Sequence, residues 1–147
     1  MAIIAILSSF IFMDVFRSKG NVALITTMDV LVTDLKKQQL KAMTGNTEGR
    51  ITNDAYGVYF ETNKYILFHG LTYDSSDISN FPVDLTDGDQ FDLPNSLPQL
   101  IFTPVSGEIQ SFDPDKNLVI KNTNTGSKKT IIFNKFGVIA NILTNQP

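Results

Sequence analysis

The chain has 147 residues, 42% of them hydrophobic and 18% charged, with a net charge of -3 and a pI near 5.0. That length and composition belong to one folded domain and argue against disorder along the whole chain. The absence of cysteine excludes a disulfide framework and thiol chemistry, and a single histidine excludes a multi-histidine metal site.

Residues 1–13, MAIIAILSSFIFM, carry no charge, and helical periodicity then continues to about Met43. Within 1–16, Ile3, Ile4, Ile6, Leu7, Phe10, Ile11 and Phe12 make a greasy tip. A helix that outgrows its own domain must bury that tip elsewhere, in a membrane or a filament core. Thirteen helical residues span about 20 Å, less than the roughly 30 Å hydrocarbon layer, so the segment reads as a fragment of an anchor. No positive charge precedes it and no small-x-small site follows, which separates it from a secretory signal. Over 22–43 the pattern becomes amphipathic. Leu24, Met28, Leu31, Leu35 and Ala42 recur at helical spacing beside Ile25, Val32 and Met43, while Asp29, Thr33, Lys36, Lys37 and Lys41 take the other face. This half should pack on a sheet. Gly20, between the halves, predicts a soft point or kink. Thr44-Gly45-Asn46 predicts the helix stop.

From 44 to 147 the chain reads as a β-rich head. After residue 50 the period switches to two, and Tyr56–Glu61 and Lys64–His69 flank Thr62-Asn63 as a tight hairpin. Further strands are predicted at 99–103, 107–112, 117–121, 128–134 and 138–143, with turn residues between them. Residues 71–98 form an acidic, proline-containing excursion, expected to be a surface loop used for partner contact or left mobile. Phe81, Val83, Leu85, Phe91 and Leu93 offer it a hold on the head, and the alternation at 81, 83 and 85 permits one short edge strand.

Charge is unevenly spread. From Tyr65 to Asp115 there is no lysine or arginine, whereas Asp74, Asp77, Asp84, Asp87, Asp89, Asp92, Glu108, Asp113 and Asp115 all fall there. Such a surface repels nucleic acid and anionic lipid. The only basic pair in the second half is Lys128-Lys129.

Asp87, Asp89 and Asp92, with Asp113, Asp115 and Asn117, resemble pieces of calcium loops, but neither group has the twelve-residue ligand pattern with its terminal glutamate. Solvated turns are the plainer reading. His69 closes a strand beside Gly70 and reads as structural. No Gly-x-Ser-x-Gly elbow presents Ser75, Ser76 or Ser111 as a nucleophile for it. The many carboxylates fit a solvated surface better than a glycosidase pair, and the phenylalanine-rich strands read as core. The chain is therefore expected not to be an enzyme and to need no cofactor, calcium being the sole candidate.

The long helix, greasy at its tip and amphipathic below, followed by YGVYFETNKYILFHG, LIFTPVSGEIQ and TIIFNKFGVIANI, resembles the GspH/FimT-type minor pseudopilins of bacterial type II secretion systems and type IV pili. The likeness runs through most of the chain, and is sharpest at Tyr56–Gly70 and Phe133–Ile142. The family begins with a leader, a cleavage site after glycine, an N-methylated phenylalanine and a glutamate at the fifth mature position; here the first acid is Asp14. Ala2–Phe12 matches the middle of the family's greasy helix, so a leader and about ten residues are expected upstream.

The resemblance implies an α+β, pilin-like fold, with one long N-terminal helix packed on an antiparallel β-sheet head. It also implies a low-copy structural subunit of a secretion pseudopilus or pilus, partnered by other pilin-like subunits. The subunit would be held in the bacterial cytoplasmic membrane by a single helix with its head outside the cytoplasm, and would later be built into a filament. Two alternatives stand beside it. A DNA-uptake minor pilin would need a basic tail, which Asn141–Pro147 lacks. A membrane-tethered binding domain would never polymerise.

Overall fold

The computed structural model describes the backbone of residues 2–49, 51, 54–86 and 88–145, and the side chains of 22–49, 51, 54–86, 88–94 and 96–145. Among the described residues one helix, α1 (Ala2–Thr44), precedes eight strands: β1 (Tyr56–Phe60), β2 (Lys64–His69), β3 (Phe81–Asp84), β4 (Asp89–Phe91), β5 (Gln99–Phe102), β6 (Leu118–Asn122), β7 (Lys128–Phe133) and β8 (Ile139–Asn145). A 3-10 turn, Leu93–Asn95, follows β4. The strands form two antiparallel four-stranded sheets, ordered β3-β2-β1-β5 and β4-β6-β7-β8. The architecture is thus α+β, an N-terminal helix packed against antiparallel sheets.

The helix passes Gly20 without a break and stops where expected. Gly45 takes φ +64, which glycine adopts without a Cβ clash, and its amide reaches Ala42 O while Asn46 N reaches Lys41 O. Those paired bonds satisfy carbonyls that the last turn leaves open. Val105 N adds a third, also to Ala42 O, so a turn from far along the chain seals the helix end.

Leu24, Met28, Leu31, Leu35 and Ala42 are buried in one core with Tyr56, Val58 and Phe60 of β1, Leu100 and Phe102 of β5, Leu118 and Ile120 of β6, and Ile131 and Phe133 of β7. Each large aliphatic or phenylalanine side chain so buried contributes about 1.5–3 kcal/mol. Alternation in β1 sends Gly57 to the outer face, where the Phe68 ring lies across it; a Cβ there would sit 2.3 Å from Phe68 Cζ. Ala55, Phe68 and Ile101 make a second, smaller cluster on that side, and Tyr73 covers it by stacking on Tyr59 with centroids 4.2 Å apart.

Two expectations need correction. Residues 107–112 form no strand, because the chain curls through positive φ at Val105, Gly107 and Ser111; only the bridge Phe102–Ile109 remains. The excursion 71–98 is not one loop. Its first part, 71–80, is held by two successive Asp turns, Asp74 Oδ1 accepting Ser76 N and Asp77 Oδ1 accepting Ser79 N. Beyond it the chain forms β3 as an outer strand of one sheet and β4 as an outer strand of the other. Pro82 is tolerated in β3 because an edge leaves one side of the strand without a ladder partner. Of the five side chains expected to hold the excursion, Val83, Leu85, Phe91 and Leu93 pack on the core and Phe81 stays exposed.

Amide hydrogen exchange should therefore split the excursion, with 71–80 exchanging fastest and 81–84 and 89–91 markedly slower. Uniformly fast exchange from 71 to 98 would contradict the strand pairings.

Candidate functional site

The buried face of α1 is not purely apolar. Thr27, Asp34 and Gln38 lie on it, buried beside Leu24, Met28, Leu31 and Leu35, and each is met by a different part of the sheets. Thr27 Oγ1 donates to Asp89 Oδ2 at 2.6 Å and lies 3.0 Å from Thr86 Oγ1. Asp89 is itself buried, and its other oxygen accepts Asn122 Nδ2 at 2.7 Å. Asn122 Oδ1 in turn accepts the amides of Asn124 and Thr125, which shapes the turn between β6 and β7. Asp34 Oδ2 accepts the Tyr65 hydroxyl at 2.7 Å, and its Oδ1 pairs with Lys37 at 3.2 Å. Gln38 Nε2 donates to Gly57 O and Phe68 O, the two carbonyls of one β1–β2 pair. Gln39, one position further round, donates to Gly107 O and Phe136 O and ties two more turns to the helix.

Burial pushes the Tyr65 hydroxyl well above its ordinary range, and the hydrogen bond to Asp34 and that residue's negative charge push it further.

Where α1 ends, a cleft of about 310 Å³ opens between helix and sheet, lined by Gln38, Lys41, Glu48, Tyr56, His69 and Phe81 among others. Lys41 Nζ is paired to Glu48 at 2.6 Å and stands 5.4 Å from the Tyr56 ring centroid. The other side of that story is His69, buried and stacked on Tyr56 at 4.4 Å and 4°, with its Nε2 3.5 Å from Asp54. The Tyr56 hydroxyl donates to Asn46 O at 2.6 Å. These contacts fasten the segment after the helix to β1 and β2. Ser76 donates to Asp74, and Ser111 sits exposed in the turn that replaces the expected strand. Neither is brought against His69 by a hydrogen bond.

The calcium candidates are dispersed. Asp89 serves the helix seam; Asp92 pairs with Lys128 at 3.3 Å and Lys121 at 3.9 Å; Asp113 accepts the Asp115 amide, with Asp115 exposed; Asn117 O accepts Leu97 N. Asp87 lies outside the described residues. Among the described residues no three acidic, histidine or cysteine side chains converge. The tip residues Ile3, Ile4, Ile6, Leu7, Phe10, Ile11 and Phe12 have their side chains outside the described set, and among the described residues no helix is long and apolar enough to cross a membrane.

Sequence reasoning missed Thr27, Asp34 and Gln38. Their signal was available, since 27, 34 and 38 are spaced by seven and four and fall on the rows occupied by Leu24, Met28, Leu31 and Leu35. Compared with protein-family models, curated proteins and solved structures, the chain matches none.

Tyr65→Phe should lower stability by about 1–3 kcal/mol, because Asp34 stays buried without its hydroxyl donor. The same variant should change the alkaline limb. A tyrosine whose folded pKa is raised holds its proton more tightly folded than unfolded, so its stabilisation is full below the unfolded value of about 10 and is lost as pH rises above it. Denaturant melts from pH 8 to 11 should show that loss in the wild type and a shallower one in Tyr65→Phe. Thr27→Val, nearly equal in shape, should cost a further about 1–3 kcal/mol by removing a donor from Asp89.

Proposed function

We propose that the chain is a structural subunit of a bacterial secretion pseudopilus or type IV pilus, a pilin-like protein whose head faces outward and whose helix tip is buried among neighbouring subunits. The observation that carries this reading is the division of α1. Among the described side chains of the helix the buried ones run from Leu24 to Ala42, and the helical backbone begins at Ala2, so about 33 Å of helix precedes Leu24. An uncharged apolar stretch continuous with a docked helix suits a part that packs first in lipid and then in a filament core.

The head supports the same reading through its fabric. The cleft beside His69 is lined by side chains that brace the chain, Lys41 pairing with Glu48 and Tyr56 with Asn46 O, while Asp74, Asp77 and Asp113 shape turns, Asp92 is ion-paired and Asp89 serves the seam. On this reading the protein acts by assembly, with other pilin-like subunits as partners and the cytoplasmic membrane as the place it waits. A membrane-tethered domain that never polymerises is the second reading, favoured by the helix and both sheets sharing one core within a single chain.

Deleting residues 1–20 should yield a folded head that stays in solution without detergent, whereas the full chain should need detergent or form large assemblies. A full chain that is monomeric in plain buffer at high concentration would overturn the assignment. Crosslinking in cells should capture other pilin-like subunits through the helix; an unassembled tether would give none.

The acidic stretch from Tyr65 to Asp115 also bears on the DNA-uptake alternative. Duplex DNA should bind the head only non-specifically and be lost at physiological salt in a fluorescence titration. Binding that survives would revive that alternative, with Lys128 and Lys129 the first positions to change.

A further inference from the structure

Phe68 of β2 and Ile101 of β5 stand on either side of Gly57 across three paired strands, on the outer face of their sheet. Because Gly57 has no Cβ, the Phe68 ring lies across it and the row is flat. Phe68 and Ile101 are only 3% and 5% exposed, and the ring packed over them comes from the following segment, 71–80. Tyr73 stacks on Tyr59 with centroids 4.2 Å apart and planes 10° apart, and meets Phe68 at 5.6 Å and 63°. Of the apolar side chains in that segment, Leu71 and Ile78 are exposed and Tyr73 is packed inward.

The segment has a fabric of its own. Asp74 Oδ1 accepts both the amide and the hydroxyl of Ser76, Asp77 Oδ1 does the same for Ser79, and Asn80 Nδ2 donates to Asp74 O. Asp77 N and Asn80 N close turns on Asp74 O and Asp77 O. All these bonds begin and end within 74–80, so they survive if the segment lifts from the sheet. Its two ends lie near one another on β2, since Gly70 follows His69 directly and Phe81 is paired with Leu67. Gly70, at φ +134, supplies a pivot that a residue with a Cβ would resist. A compact loop with neighbouring ends and its own packing is a unit able to move apart from the scaffold that carries it.

We propose that residues 71–80 form a hinged flap, latched by the Tyr73 ring, which opens about Gly70 while the rest of the head stays folded. Closed, it covers the row from Phe68 to Ile101; open, it presents that row and Tyr59 as a flat apolar strip. Ser79, near the second pivot, lines the cleft beside His69, so the same movement widens that cleft. The flap belongs to the head alone and does not rest on the pilin-like reading.

The lack of native cysteine makes the test direct. Ile101 and Leu100 are neighbours on β5 that face opposite ways, Leu100 into the main core, so fraying of the strand exposes both and opening of the flap exposes only Ile101. In the full chain in mild detergent, a maleimide should label Ile101→Cys about 100-fold faster than Leu100→Cys, which waits for global unfolding. Adding Tyr73→Ala should speed labelling at 101 by about tenfold and leave 100 within about twofold, whereas Tyr73→Phe, which keeps the ring, should behave like the parent. Ala55→Cys against Val58→Cys gives the same comparison at two small buried positions, should the change at 101 disturb the sheet. Equal rates within both pairs, or rates at 101 and 55 that Tyr73→Ala does not change, would overturn the proposal.

Discussion

The structure depends on how three polar side chains of one helix are satisfied at its buried face. An apolar stripe alone lets a helix rotate or slide on a sheet at modest cost, since ridges and grooves repeat along it. Thr27, Asp34 and Gln38 remove that freedom. Each must find its partner on burial, and the partners sit on β4, on β2, and on the β1–β2 pair at Gly57 and Phe68. A helix turned by one residue would leave all three unmatched, at about 1–3 kcal/mol apiece. Hydrophobic burial supplies the attraction, and the polar contacts select one register.

That register also unites the two sheets. Thr27 reaches the sheet containing β4, while Asp34 and Gln38 reach the other, so the helix works as a splint across both. The chain makes a second join at the β1–β2 hairpin, whose turn carbonyls Thr62 O and Asn63 O accept Phe91 N and Leu85 N from the segment that carries the chain from β3 to β4. What reads as an acidic excursion is the strap between the layers.

The parts of this fold that were legible in the sequence are those set by short-range chemistry. Gly45 and Asn46 end the helix because their backbone conformation demands those residue types, and period-two alternation from Tyr56 to His69 marks a hairpin whose turn needs two residues. Local signals failed where a distant partner decides the outcome. Asp89 looks like a turn residue until Thr27 and Asn122 are seen to hold it inside a strand, and Gly107 looks like a strand opening until the helix end claims the amide of Val105. Thr27, Asp34 and Gln38 went unread because nothing near them in sequence shows what they bind. The cleft beside Lys41 and His69 was equally hidden, since it is made by ring stacking between neighbouring strands and by the chain just past the helix.

The contacts of α1 have a consequence for how the protein is made. The helix is synthesised first, yet its partners lie as far along the chain as Phe136, a separation of 97 residues from Gln39. Until the last turns have left the ribosome, the stripe from Leu24 to Ala42 has no sheet to rest on, and its polar seam residues have only water. The β6–β7–β8 meander closes between near neighbours and can form early once made, whereas helix docking waits on closures of high entropic cost. A nascent chain of this design holds an exposed amphipathic helix from the helix's own synthesis until the turn at Phe136 is made, so whatever shelters that helix in the interval is as much a part of its folding as the core it finally joins.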